Sequence, residues 1–183
     1  MYKVGIITAS DKGFSGQRED LSGPAIEEIL KNYPVYTIER YTMVPDDQYV
    51  LSNEMVNMAD REGIDLILTT GGTGFSKRDV TPEATLEIIE RKAPGIPEAM
   101  RYLSLQITPR AMLSRAEAGI RGDTLIVNLP GSPKAIKEIL DYILPSLAHG
   151  LDILQGNSVD CARPDPQAAE SRECDEVNVV SGK

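Results

Sequence analysis

Apolar positions along this chain fall into two regimes: short continuous runs, and longer stretches in which they recur at helical spacing. Residues 4–8 (VGIIT), 66–68 (LIL) and 125–129 (LIVNL) are runs of the first kind, the mark of strands buried on both faces of a sheet. Residues 35–44 (VYTIERYTMV) mix β-branched and aromatic residues with charged ones, as an edge strand does. Helical patterns lie between. Ile26, Ile29, Leu30 and Tyr33 follow an opening at Ser22-Gly23-Pro24, and Leu51, Met55, Met58 and Ala59 form a second stripe. A third face, Ile136, Ile139, Leu140 and Ile143, continues through Leu147, Leu151 and Leu154 beyond Pro145. Further helices are predicted from Pro82 to about Arg91, after the break at 92–97 with Met100 and Leu103 inward, and briefly from Thr108-Pro109. Arg121-Gly122-Asp123 reads as a hairpin turn. Strands alternating with helices predict an α/β fold: a three-layer sandwich with a mostly parallel central sheet and a β-hairpin in the second half.

The pattern breaks most sharply after the run at 66–68. Gly71, Gly72, Thr73 and Gly74 are followed by Lys77, Arg78 and Asp79, and the loop closes at Thr81-Pro82-Glu83, read as N-cap, first-turn proline and first-turn acid. Three glycines in four residues permit positive φ and close approach of a ligand to the main chain. A strand, a polar glycine loop and a helix start together direct N–H groups and the positive end of a helix dipole at an anion. Neither a Walker A loop nor a dinucleotide fingerprint fits, since no Gly-Lys-Ser/Thr follows Gly74 and Lys77 stands where a third glycine is needed.

Ligands of parallel α/β sheets bind beyond the carboxyl ends of the strands. That rule gathers Ser10 and Asp11, Pro45-Asp46-Asp47, the loop 71–79, and Pro130-Gly131-Ser132-Pro133 around one cleft, with Ser132 as a helix N-cap. Lys77, Arg78, Arg115 and Lys134 are its candidate cations. No Ser-His-Asp triad or histidine base is in sight. Carboxylates beside phosphate cradles point to metal-assisted phosphoryl or nucleotidyl transfer. Asp79 stands out because Thr81 is expected to do the capping, whereas one of Asp46 and Asp47 is expected to be only a first-turn helix acid.

Composition narrows the partners. At 183 residues with a net charge of −9 and a pI near 4.7, the surface is not built to grip nucleic acid or an anionic membrane. No stretch is apolar enough to span a bilayer, and Met1-Tyr2-Lys3 runs directly into a strand, leaving no room for a signal peptide, so a cytoplasmic location is expected. His149 is expected at a helix C-cap. Residues 1–155 are expected to form one domain; 156–183 lack apolar periodicity and read as a polar, mobile or surface-hugging tail, in which Cys161 and Cys174 are expected as reduced thiols.

The segments 69–85 (TTGGTGFSKRDVTPEAT), 94–100 (PGIPEAM), Ser114-Arg115-Ala116 and 128–134 (NLPGSPK) together resemble the molybdopterin adenylyltransferases of molybdenum cofactor biosynthesis, of the MogA and MoaB type. The resemblance covers about residues 3–155. It implies a MogA/MoaB-like fold and an enzyme that uses Mg²⁺ and ATP to adenylylate the terminal phosphate of molybdopterin, with release of pyrophosphate, in a molybdenum or tungsten cofactor pathway. It implies that Asp46, rather than Asp47, pairs with Asp79 in catalysis and in holding Mg²⁺. Ser10, Asp11, Gly71, Gly72, Thr73, Gly74, Ser114, Arg115, Pro130, Gly131 and Ser132 become the expected substrate- and nucleotide-binding residues. A homotrimer or a hexamer of paired trimers is implied, with transient contact with the molybdenum-inserting enzyme and no tightly bound prosthetic group. The alternatives are a molybdopterin-binding protein of the same fold without transferase activity, a molybdenum-inserting enzyme, a competence-damage-type protein acting on pyridine nucleotide derivatives, and a non-enzymatic scaffold. Retention of both aspartates and of RDVTPEAT favours the transferase.

Overall fold

The structure is a computed structural model and describes residues 1–157; the greater part of the expected tail, with Cys161 and Cys174, lies outside the described residues. The three apolar runs form β1 (Tyr2–Ala9), β3 (Leu66–Thr70) and β6 (Thr124–Leu129), and the mixed run forms β2 (Tyr36–Val44). These four strands pair in parallel in the order β2-β1-β3-β6, which leaves β2 at the edge that its polar content suits. Beyond β6 the sheet turns antiparallel. β5 (Ala118–Arg121) pairs with β6 as the expected hairpin, and a two-residue β4 (Arg91–Lys92) closes the far edge.

Helices cover both faces because the central strands carry apolar side chains on both sides of the sheet. Val4, Ile6, Leu66, Leu68, Leu125 and Val127 pack against α2 (Ser22–Leu30), α5 (Gly95–Leu105) and α6 (Pro133–Leu154). The intervening residues Ile7, Ile67 and Ile126 point the other way, onto Leu51, Met55 and Met58 of α3 (Gln48–Asp60) and Ala84 and Ile88 of α4 (Thr81–Ile88). The period of two along each strand thus makes the three layers. Each fully buried Leu, Ile or Met contributes roughly 1.5–3 kcal/mol. A buried polar cluster interrupts this core: Asn128, fully buried on β6, donates to Thr69 Oγ1 at 2.9 Å and Thr85 Oγ1 at 2.8 Å, both threonines being fully buried too, and accepts from the Glu117 amide at 3.2 Å.

Several local expectations need correction. The helix predicted to run to Arg91 stops at Ile88, because Ile89 turns extended and the Glu90 amide donates to Ile120 O at 2.8 Å; strand pairing across the sheet overrides the apolar spacing. The loop after β1 contains a single helical turn, α1 (Asp11–Phe14), capped by Ser10, whose Oγ accepts from the Gly13 amide. Ser132 occupies the N-cap position of α6 but makes no side-chain cap bond. His149 lies inside α6, not at its end. That helix runs through Pro145, and the carbonyl of Asp141, the one a proline at 145 leaves without its helical N–H, instead accepts from the Tyr33 hydroxyl at 3.3 Å. The short helix predicted at Thr108-Pro109 is a 3-10 helix, Pro109–Leu113, capped by Thr108. Among the described residues no helix is long and apolar enough to cross a membrane.

Candidate active site

Four parallel strands ending on the same edge deliver four loops to one end of the sheet. The loops after β1 and β2 are locked to each other: the Asp11 amide donates to Asp46 Oδ2 at 2.8 Å, and the Asp46 amide donates to Asp11 Oδ1 at 3.1 Å. Arg78, at the far end of the glycine loop, adds a two-pronged bond to Asp11, with both N–O distances 2.9 Å. Its hydrogen bond is the largest influence holding the Asp11 carboxyl below the usual range. Asp47 caps α3 by accepting from the Val50 amide at 3.0 Å, leaving Asp46 as the acid turned to the cavity. Burial, above all, pushes the Asp46 carboxyl up, and the charges of Asp11 and Asp79 add to it.

The glycine loop is shaped as much by its own aspartates as by space for a ligand. Gly71 and Gly72 take positive φ, at +91° and +63°, and Gly74 does not. A Cβ on Gly72 would stand 2.4 Å from Thr81 Oγ1 and 3.3 Å from Asp46 Oδ1, and one on Gly74 would stand 2.8 Å from Asp79 Oδ2. Two glycines therefore let the two aspartates lie against the main chain. Asp79 Oδ2 also accepts from the Ser76 amide at 2.9 Å. Thr81 does not cap α4: Val80 holds the cap position without a side-chain bond, and Thr81 Oγ1 is buried with no partner.

Arg115 is the brace of this loop. Its amide donates to Thr73 O at 3.0 Å, its Nε to Gly74 O at 2.7 Å and its Nη2 to Asp79 O at 2.6 Å, while Nη1 pairs with Glu83.

The single expected cleft is two adjoining cavities. The first, about 220 Å³, brings together Ser10, Asp46, Gly71, Gly72, Asp79 and Gly131. The second, about 350 Å³, holds Thr73, Gly74, Ser114, Pro130 and Ser132 with the apolar Met100, Leu113 and Ile139. Asp11 and Arg115 line neither, because the one is turned to Arg78 and the other to the loop carbonyls. Among the residues of the polar cavity that escaped sequence reading are Arg18, Glu19 and Asp20. Asp20 had a signal: it lies just before Ser22-Gly23-Pro24, and it caps that helix start by accepting from the Ser22 and Gly23 amides at 2.8 and 3.2 Å. It also accepts from Thr8 Oγ1 and from the Tyr41 hydroxyl, so its oxygens are occupied.

Among the described residues no three His, Cys, Asp or Glu side chains cluster as a metal cage. Two carboxylates opening on a polar cavity suit Mg²⁺, which keeps water and phosphate oxygens in its shell rather than an all-protein set of ligands.

Residues 5–149 match the family described as "Probable molybdopterin binding domain". The chain is 42% identical over 166 residues to the molybdopterin adenylyltransferase of Helicobacter pylori strain J99, covering 90% of this chain and 94% of that protein. Among solved structures, the molybdopterin biosynthesis enzyme MoaB of Thermus thermophilus is similar with a TM-score of 0.81 and 51% identity, over 85% of this chain and 98% of that one. The tungsten cofactor synthesizing protein MoaB of Pyrococcus furiosus is similar with a TM-score of 0.76 and 36% identity, over 84% and 96%.

Proposed function

This chain belongs to the molybdopterin-binding family that contains the molybdopterin adenylyltransferases, and from that premise we propose that it transfers the adenylyl group of ATP to molybdopterin. In this reaction an oxygen of the molybdopterin terminal phosphate attacks the α-phosphorus of ATP. The bond from that phosphorus to the β-phosphate oxygen breaks, and pyrophosphate leaves. The observation that carries the reading is the convergence of Asp46 and Asp79 across the glycine loop on one polar cavity at the carboxyl edge of the sheet. Mg²⁺ held by these two carboxylates would supply the positive charge that lets two phosphates meet.

The chain's own residues hold and orient. Main-chain N–H groups at Gly71, Gly72, Thr73, Gly74, Gly131 and Ser132 are the donors for phosphate oxygens, fixed before the reactants arrive. Asp11 keeps Asp46 in place through the paired amide bonds, and Arg115 keeps the loop carbonyls turned away from the phosphates. Thr73, Ser114, Pro130 and Ser132 face the adjoining apolar cavity, a surface on which a flat heterocycle rests.

Residues 1–155 would act as the catalytic domain, in the cytoplasm, with 156–183 as an appendage, in either a molybdenum or a tungsten pathway. Assembly as a trimer, or a pair of trimers, is supported by exposed apolar side chains concentrated on α5 and the following 3-10 helix: Tyr102, Leu105, Ile107, Met112 and Leu113.

The test is to incubate the purified protein with molybdopterin, ATP and Mg²⁺ and to look for adenylyl-molybdopterin by mass spectrometry. Product from the wild type, and its loss in Asp46→Asn and Asp79→Asn proteins that still bind ligand, is expected. Tight molybdopterin binding with no product would replace this reading with a binding-only role.

A further inference from the structure

The polar cavity has a charge problem. Its lining includes Glu19, Asp20, Asp46 and Asp79. A polyphosphate entering it meets four carboxylates, of which Mg²⁺ at Asp46 and Asp79 would offset two, and the cations that the sequence suggests do not reach it. Arg78 spends both prongs on Asp11. Arg115 is committed to two carbonyls and Glu83. Lys134 reaches along α6 towards Glu138, at 3.9 Å, with its side chain 81% exposed, and Lys77 is not among the lining residues.

Among the described residues, Arg18 is the one lysine or arginine that lines the polar cavity. It comes from the segment between α1 and α2, an element separate from the glycine loop. Its backbone is pinned by a bond from its amide to Lys12 O at 3.1 Å. Its guanidinium, in contrast to those of Arg78 and Arg115, makes no hydrogen bond or ion pair among the described residues. A charged fork that is anchored at its base, unpaired at its head and set on the wall of an acid-lined cavity is suited to one class of ligand.

We propose that Arg18 is the phosphate-binding cation of this site, clamping the polyphosphate of the nucleotide by a two-pronged contact. The proposal rests on the adenylyl-transfer reading for the identity of the nucleotide but not for the class of ligand. A guanidinium matches two phosphate oxygens at once, whereas an ammonium is a point charge with no such fork.

The experiment measures binding of ATP, pyrophosphate and uncharged adenosine by calorimetry, with Mg²⁺, for the wild type, Arg18→Ala, Arg18→Lys and the control Lys77→Ala. A hydrogen bond to a charged group is worth about 1.5–3 kcal/mol, so Arg18→Ala should weaken ATP and pyrophosphate binding by roughly 10- to 100-fold. Arg18→Lys should recover part of the loss, adenosine binding should not change, and the decline of ATP affinity with salt should become shallower in Arg18→Ala. Lys77→Ala should behave as wild type. Residue 18 is exposed on a connecting segment, so the variants should fold, which circular dichroism checks. Unchanged affinity of Arg18→Ala for both ATP and pyrophosphate would overturn the proposal while leaving adenylyl transfer by the wild type intact. Conversely, pyrophosphate binding that depends on Arg18 in a protein forming no adenylyl product would uphold the phosphate site and remove the transferase.

Discussion

Gly72→Ala separates two reasons why a loop carries glycine. Gly72 and Gly63 both have φ of +63°, but a Cβ on Gly63 would meet nothing within 4 Å, whereas one on Gly72 would meet Thr81 Oγ1 at 2.4 Å and Asp46 Oδ1 at 3.3 Å. Gly63→Ala therefore isolates the backbone cost of a left-handed alanine, about 1–2 kcal/mol. Gly72→Ala carries the same cost and in addition drives a methyl group into a fully buried threonine and an aspartate held by the Asp11 amide. Overpacking of this kind costs about 1–3 kcal/mol more, a substantial part of the 5–15 kcal/mol that separates folded from unfolded domains. Urea unfolding gives the difference directly, provided the slope is the same for all variants. We expect Gly72→Ala to be the less stable by that margin and to lose most adenylyl transfer as Asp46 is displaced, while Gly63→Ala keeps its activity. Thr81→Ala in the Gly72→Ala background should restore part of the stability, a coupling that a double-mutant cycle reads. Equal stability losses for the two glycines, with no coupling to Thr81, would refute the steric account and leave backbone conformation as the whole reason.

Other consequences can be checked in the same assays. Arg115→Ala should cost about 3 kcal/mol and lower the rate of transfer, and Arg115→Lys should not rescue it, because an ammonium cannot reach Gly74 O, Asp79 O and Glu83 together. Thr81→Val removes a buried hydroxyl that has no partner and keeps its shape, so the unfolding free energy should hold or rise, by up to about 1–3 kcal/mol; a clear loss would mean that the hydroxyl is satisfied. Asp46 has a raised carboxyl pKa, so the folded state holds its proton more tightly than the unfolded state does, and its stabilising contribution is present in acid and lost as pH rises through the raised value. In chelator, Asp46→Asn should therefore gain stability relative to wild type from acid to neutral pH. Asp11, held low by Arg78, has the opposite sign, and Asp11→Asn should lose relative stability over the same rise.

The buried strands were legible because the central sheet leaves no polar face: residues 66–68 and 125–127 are apolar without a break and are fully or nearly fully buried. The edge position of β2 was legible for the opposite reason. What escaped was decided across the chain rather than along it. Arg91–Lys92 has no strand pattern and becomes β4 only because Ile120 and Gly119 lie opposite, while Ile88 and Ile89 kept the helical spacing plausible. The same limit applies at the site. Asp46, Asp79 and the glycines declare themselves by motif, but whether Arg115 faces a ligand or the oxygens of the glycine loop and α4 depends on which acceptors the fold presents. Arg18 carries no motif at all. Its place on the cavity wall follows from the turn α1, whose four residues read as polar loop.

Asn128 carries a consequence for how the sheet assembles. Neighbouring parallel strands of interchangeable isoleucine, leucine and valine can slide past one another at little cost in apolar burial, and a slip of one residue would turn every side chain of β6 to the opposite layer. Only one register sets the Asn128 amide against both Thr69 and Thr85 and its carbonyl oxygen against the Glu117 amide. A slipped pairing would strand those polar groups in a dry interior, at a cost of about 1–3 kcal/mol for each. The side chain acts as a key for alignment, and because Pro130 and Gly131 follow directly on β6, the height at which their loop meets Gly71 is inherited from a hydrogen-bond pattern buried in the core.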